Sequence, residues 1–213
     1  MPAYDTASLT PADRAPASAV TDLKVVIAGG FGTGKTTLVG EVSEIPPLTT
    51  EEQLTTASTG VDDLAGLERK SHTTVAMDFG RITLTTPQHL VIYLFGTPGQ
   101  ERFLYMWDDL AHGAVGAIVL VDTRRLHVSF TAVSYFERTA LPFVVAVNEF
   151  DTPERHHYSP DEIRLALEIP PAVPVVTCDA RDLHSAVAVL RTLVEHALTT
   201  ARNRPATALG ARP

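Results

Sequence analysis

A short β-branched apolar run, Leu23 to Ala28 (LKVVIA), leads directly into Gly29-Gly30-Phe31-Gly32-Thr33-Gly34-Lys35-Thr36. This order matches G-x-x-x-x-G-K-[ST] at every fixed position, and it constrains the fold more than any other feature of the chain. It demands a buried strand, a tight glycine turn and a helix in immediate succession. Glycines let the backbone wrap a phosphate with its N–H groups turned inward. A helix starting at Lys35 and running to Ser43 adds the positive end of its dipole. In this reading Gly29 to Thr37 form a nucleotide-phosphate cradle. Lys35 supplies a cation to the β- and γ-phosphates, and the Thr36 hydroxyl ligates Mg²⁺. Lysine is otherwise scarce: only Lys24, Lys35 and Lys70 occur in 213 residues. A lysine inside a glycine loop therefore stands out.

The rest of the chain alternates apolar runs with helix-like stretches. His89 to Phe95 (HLVIYLF), Gly116 to Val121 (GAIVLV), Phe143 to Val147 (FVVAV) and Val173 to Val176 (VPVV) read as buried strands of a mostly parallel sheet. Thr74 to Thr85 (TVAMDFGRITLT) alternates as a half-exposed strand. Helices are expected over 103–111, 128–140, 160–167 and 182–200. The last carries Leu183, Val187, Leu190, Val194 and Leu198 at a helical period, and Ser159-Pro160-Asp161-Glu162 is a strong helix start. This alternation predicts a three-layer α/β domain over residues 22–200. Residues 1–21 and 201–213 read as tails. Ligands of such folds bind beyond the carboxyl ends of the strands, where every motif here falls. The long, Thr- and acid-rich segment from Ile45 to His72 reads as a functional or mobile loop.

Composition narrows the class. Apolar residues make up 45% and charged residues 20%, as in ordinary globular proteins. No apolar run reaches the roughly 20 residues of a membrane helix. A single cysteine, Cys178, excludes a disulfide framework and fits a reducing, cytoplasmic setting. The net charge of −8 opposes nucleic-acid phosphate and anionic lipid as main partners. Neither end carries the pattern of a signal peptide, a myristoylation site or a prenylation box. His72, His156 and His157 lack zinc spacing and read as loop residues.

Three further motifs follow the predicted strands. Asn148-Glu149-Phe150-Asp151 comes after FVVAV. A carboxylate at Asp151 can accept from the guanine N1–H and exocyclic amine, a donor pair that adenine lacks. Asn148 can bond N7 and tie neighbouring loops together. Glu149 can cover the base. Thr177-Cys178-Asp179-Ala180-Arg181 follows the last strand and resembles the S-A-K loop of small GTPases, a comparison by which Asp179, Ala180 and Arg181 would flank the base. Gly96-Thr97-Pro98-Gly99-Gln100-Glu101-Arg102-Phe103 follows HLVIYLF. Gly99 can bond a γ-phosphate through its N–H, and Gln100 stands where a water-orienting residue is needed. Thr74, with Thr73 close by, resembles the first-switch threonine of small GTPases, which would make it a second threonine for Mg²⁺.

Together these residues resemble the Ras-like small GTPases: N-E-F-D is similar to N-K-x-D, and G-T-P-G-Q-E is similar to D-T-A-G-Q-E. The combination looks most like the actinobacterial conservon-type GTPases, which are akin to the bacterial gliding-motility GTPases. The resemblance implies a P-loop G domain whose six-stranded sheet is mostly parallel with one antiparallel edge strand. It also implies a GTP/GDP cycle with Mg²⁺. The implied partners are a roadblock/LC7-type regulator and a sensor-kinase-like membrane protein that would recruit the chain to the membrane. Its catalytic residues would be Lys35, Thr74, Gly99 and Gln100, with Thr36 and Thr74 on the metal. Three departures stand out. Phe31 replaces a small residue beside the γ-phosphate, Glu149 replaces a lysine, and Gly96 replaces the aspartate that holds Mg²⁺ through water. Unaided turnover of roughly 10⁻⁴ to 10⁻³ per second is the family expectation. Arg102 is a candidate internal arginine finger. Phe103, Tyr105, Met106 and Trp107 form either a partner patch or a helix face packed on the sheet.

Two rival readings stay open. The losses at Phe31 and Gly96 suit a nucleotide-bound scaffold with little hydrolysis. Ala117 to Asp122 (AIVLVD) resembles a Walker B strand, which would make Asp122 a Mg²⁺ ligand in an ATPase or small-molecule kinase.

Overall fold

The computed structural model describes residues 21–48, 51–53, 72–74, 78–85, 89–150 and 158–203, with 51–53 and 72–74 described by backbone alone. Strand β1 (Thr21–Ala28) leads to helix α1 (Lys35–Val42), then β2 (Glu51–Gln53), β3 (His72–Thr74), β4 (Asp78–Leu84) and β5 (Leu90–Gly96). A 3-10 turn (Glu101–Met106) runs into the short α2 (Trp107–Ala111). Next come β6 (Gly116–Val121), a second 3-10 segment (Thr123–Ser129), α3 (Phe130–Arg138), β7 (Phe143–Asn148), α4 (Pro160–Ala166), β8 (Val175–Cys178) and α5 (Leu183–Asn203).

The main sheet has six strands in the order β4-β5-β1-β6-β7-β8. All neighbours are parallel except the edge pair β4 and β5. The expected architecture is therefore present. Alternation along β1 divides the core: Val25 and Ile27 point to one face, Val26 and Ala28 to the other. The first face packs on α1 and α5 through Leu38, Val39, Ala186, Val189 and Leu193. The second packs on α2, α3 and α4 through Trp107, Val133, Phe136 and Ile163. The central strands β6 and β7 are buried on both faces, which is why their sequences are continuous apolar runs. The chain leaves β1 toward β5 and leaves β6 toward β7, so a crevice opens between the carboxyl ends of β1 and β6.

Several boundaries differ from the sequence reading. The single strand expected over Thr74 to Thr85 is two elements in two sheets: β3 pairs only with β2, while β4 joins the main sheet. The last strand starts later than expected because Pro174 has no N–H to donate, although its carbonyl accepts from Val145. Helix α3 starts at Phe130, after a 3-10 segment interrupted at Arg125 (φ −142, ψ 55). Thr21 belongs to β1, and α5 extends through Asn203, so the described elements reach past residues 22 and 200. The start of α4 is as read, with a complete Ser159–Glu162 capping box.

Candidate nucleotide site

The glycine loop between β1 and α1 is closed by its own lysine. Lys35 is buried, and its Nζ donates to the carbonyls of Gly29 (2.9 Å) and Gly30 (2.8 Å). The Thr33 hydroxyl also donates to Gly30, at 3.0 Å. Gly34 caps α1 at φ +103, and a Cβ there would strike the amide nitrogen of Asn148. Glycine is required at that position on both counts. Above the loop lies a groove of about 230 Å³ lined by Phe31, Gly32, Gly34, Lys35, Thr36 and Thr37, with Asp78, Thr97, Gly99 and Phe150 across from them. Gly99 lies so close that a Cβ would stand 2.7 Å from Lys35 Nζ and 2.8 Å from the Phe31 nitrogen. The segment after β5 therefore rests on the glycine loop, as the motif order requires.

A carboxylate does stand beside Thr36, but it comes from a residue that the sequence reading overlooked. Thr36 Oγ1 donates to Asp78 Oδ2 at 2.8 Å, and Asp78 is 2% exposed. Asp78 opens β4 and pairs directly with Gly96 at the end of β5. Directly opposed residues of an antiparallel pair project to the same face. A carboxylate thus stands one strand over from Gly96, bonded to Thr36. The two positions exclude each other, since a Cβ on Gly96 would lie 2.9 Å from both Cβ and Oδ2 of Asp78. Next to this pair, the buried Thr97 hydroxyl has no hydrogen-bond partner among the described residues. Two hydroxyls and a carboxylate make an all-oxygen donor set, which is the chemistry that Mg²⁺ takes. The residues present fit the metal.

On the other side of the loop, Asn148 joins two segments. Its Nδ2 donates to the Thr33 carbonyl at 2.9 Å, and its Oδ1 accepts from the Ala180 amide at 3.0 Å. Asn148 thus ties the phosphate loop to the 179–181 loop. Glu149 follows, its amide bonded to the Cys178 carbonyl at 2.7 Å. Arg181 folds back onto Asp179, Nη2 to Oδ2 at 2.8 Å, beside the buried Ala180. Asp151 lies outside the described residues, as do His156 and His157. Thr74 is placed by backbone in β3, opposite Glu51, and its side chain is not described.

Residues 27–200 match the protein family described as "Conserved hypothetical ATP binding protein". The chain belongs to this family. Among curated proteins it is similar to the uncharacterized protein MJ1339 of Methanocaldococcus jannaschii, 27% identical over 132 residues that span 61% of this chain and 71% of that protein. Among solved structures it is similar to the Arl6 (BBS3) small GTPase of Trypanosoma brucei bound to the nucleotide analogue GppNp. That match has a TM-score of 0.60 at 17% identity and covers 86% of this chain and all of the other. The architecture is that of a P-loop nucleotide-binding protein.

In this family member, the Asp122 reading changes, and Gln100 is held away from the groove. Asp122 is not free to hold a metal as a Walker B acid. It is fully buried at the end of β6, and its carboxylate accepts from the Arg124 amide, Nε and Nη2, the last at 2.7 Å. Arg124 in turn lies over the Phe150 ring at 3.8 Å. Gln100 is 1% exposed and does not line the groove: its Oε1 accepts from Arg102 Nη2 at 2.8 Å. The aromatic stretch after it divides. Trp107 is core, stacked on Phe136 with its Nε1 donating to the Pro98 carbonyl at 3.3 Å. Tyr105 is exposed. No described helix is long and apolar enough to cross a membrane.

Proposed function

We propose that this chain is a guanine-nucleotide switch that binds GTP and GDP with Mg²⁺ and hydrolyses GTP slowly. The observation that carries the reading is the Asn148 bridge. It ties Asn148 and the 179–181 loop to the helix end of the phosphate loop, which supports a base-binding role for this corner. In this reading Asp151 accepts from the guanine N1–H and amine, Glu149 covers the base, and the backbone of 179–181 meets the base edge. Lys35 moves from the loop carbonyls to the β- and γ-phosphates. Thr36 and Asp78 hold Mg²⁺, with Thr97 and Thr74 as further hydroxyls. The metal, when bound, neutralises charge developing on the phosphates. Gly99 offers its N–H to the γ-phosphate. Gln100 orients water once it leaves Arg102, so hydrolysis waits on a rearrangement that a partner can drive. Partners of the roadblock/LC7 type and a sensor-kinase-like membrane protein are part of the same proposal.

The family description names ATP, which makes adenine the competing base. Burial of the Asp122 carboxylate against Arg124 counts against a Walker B role and removes one support for that reading. Displacement of a fluorescent GDP analogue by unlabelled GDP or ADP, with Mg²⁺ present, decides. GDP alone should displace it. Equal or better displacement by ADP sinks the guanine assignment. Single-turnover hydrolysis with protein in excess tests the enzyme half. No GDP above the protein-free control over several hours leaves an occupancy-controlled scaffold instead.

A further inference from the structure

We propose that Arg125 is a positioning residue that aims the phosphate-binding amides of the glycine loop; this rests on the nucleotide reading of that loop. Arg125 lies in the segment after β6, where the 3-10 run is broken. It is 5% exposed, and its Nη2 donates to the Phe31 carbonyl at 2.7 Å, 94 residues away. A buried guanidinium needs a counter-charge, and Asp122 Oδ2 stands 3.8 Å away. The same segment props the loop a second time: a Cβ on Gly30 would lie 2.7 Å from Val128 Cγ2.

The consequence follows from peptide geometry. In a trans peptide the C=O and the following N–H point in opposite directions. With the Phe31 oxygen drawn toward Arg125, the Gly32 N–H is turned away from Arg125, to the other side of the peptide. The groove lined by Phe31, Gly32, Gly34 and Lys35 is where an anion would meet it. Gly32 at φ +78 permits this bend. The neighbouring carbonyls are taken as well. Those of Gly29 and Gly30 accept from Lys35, and that of Thr33 accepts from Asn148. Lys35 must swing to meet a phosphate, whereas Arg125 and Asn148 come from outside the loop. The loop's amides are thus oriented before ligand arrives, which removes an ordering cost from binding.

The test compares wild type, Arg125→Met and Arg125→Lys for GDP and GMP affinity, with melting temperature as a check on folding. Arg125→Met should weaken GDP at least tenfold and GMP less than threefold, because Gly32 serves the outer phosphates. Arg125→Lys keeps the charge and loses the fork, and should fall between the two. In the wild-type protein, the Gly32 amide resonance should shift on addition of inorganic pyrophosphate, a reading that needs no variant. Equal losses for GDP and GMP, unchanged GDP affinity, or a Gly32 amide indifferent to pyrophosphate would each overturn the role of Arg125. Failure of wild type to bind GDP, ADP or pyrophosphate would instead overturn the nucleotide reading itself.

Discussion

The pairing of Asp78 with Gly96 makes a prediction that separates a metal-holding carboxylate from a structural one. In Asp78→Ala, the site loses its carboxylate, the acceptor that Thr36 Oγ1 meets at 2.8 Å. Removing a group that carries or orients a metal ligand costs about 10–100-fold in metal affinity. The Mg²⁺-dependent part of nucleotide affinity should therefore drop by roughly 10- to 100-fold, with affinity in EDTA little changed. Asp78→Asn keeps the shape and an acceptor but removes the charge, and should resemble Asp78→Ala in its Mg²⁺ dependence. Gly96→Ala should show the same defect with the carboxylate still present. Its Cβ would be 2.9 Å from Asp78 Cβ and Oδ2, so the acid must move off Thr36. The decisive variant is the exchange, Asp78→Gly with Gly96→Asp. It moves the carboxylate across the strand pair and clears the room for it. It should recover part of the Mg²⁺ dependence that Asp78→Ala loses. The assay is nucleotide titration across a series of free Mg²⁺ concentrations. If Asp78→Ala retains the wild-type Mg²⁺ dependence, the carboxylate serves the fold and the reasoning fails.

Three other perturbations test the surrounding geometry. Asn148→Ala leaves the Thr33 carbonyl and the Ala180 amide without their partner. At about 1–3 kcal/mol per unsatisfied buried group, melting should fall by roughly 4 °C or more; a shift within a degree would mean the bridge contributes nothing. Gly34→Ala puts a Cβ at φ +103 against the Asn148 amide. A strained backbone of this kind costs roughly 1–3 kcal/mol, and displacement assays should show nucleotide binding lost before the fold is. Burial pushes the Cys178 thiol up to about 11 from an ordinary 9.0. The folded state therefore keeps its proton at pH values where the unfolded state releases it. The stability tied to this thiol is intact below pH 9 and is lost as pH rises from 9 to 11. Denaturant midpoints for wild type should fall over that window more steeply than those of Cys178→Ala, and parallel curves would refute it.

The contiguous parts of the site were legible in the sequence, and the parts that depend on register were not. A strand, a glycine loop and a helix in sequence order place Lys35 and Thr36 without any long-range information. The same holds for Asn148 at the end of an apolar run. Asp78 depends instead on which residue of β4 faces Gly96, and alternation alone does not report register. Reading 74–85 as one strand hid it further, because that placed Asp78 mid-strand rather than at the start of β4. Arg125 is harder still, since its contact with Phe31 joins segments 94 residues apart in sequence. Asp122 misled for a related reason: an acid after an apolar strand looks like a metal ligand until the arginines beside it fold back.

A signal for Asp78 was nonetheless present. Gly96 is a glycine where an acid was expected, and 74–85 holds a single acid, Asp78. The two facts belong together physically. The carboxylate needs to reach Thr36 Oγ1, and either strand of the β4–β5 pair can deliver it to that face. Once β4 delivers it, any side chain at position 96 crowds it, and glycine is what remains. The glycine therefore leaves the room that the Asp78 carboxylate occupies. Absence of the usual aspartate is not, by itself, evidence of weak metal binding or of a nucleotide-bound scaffold. The Asp78 variants above measure that difference directly.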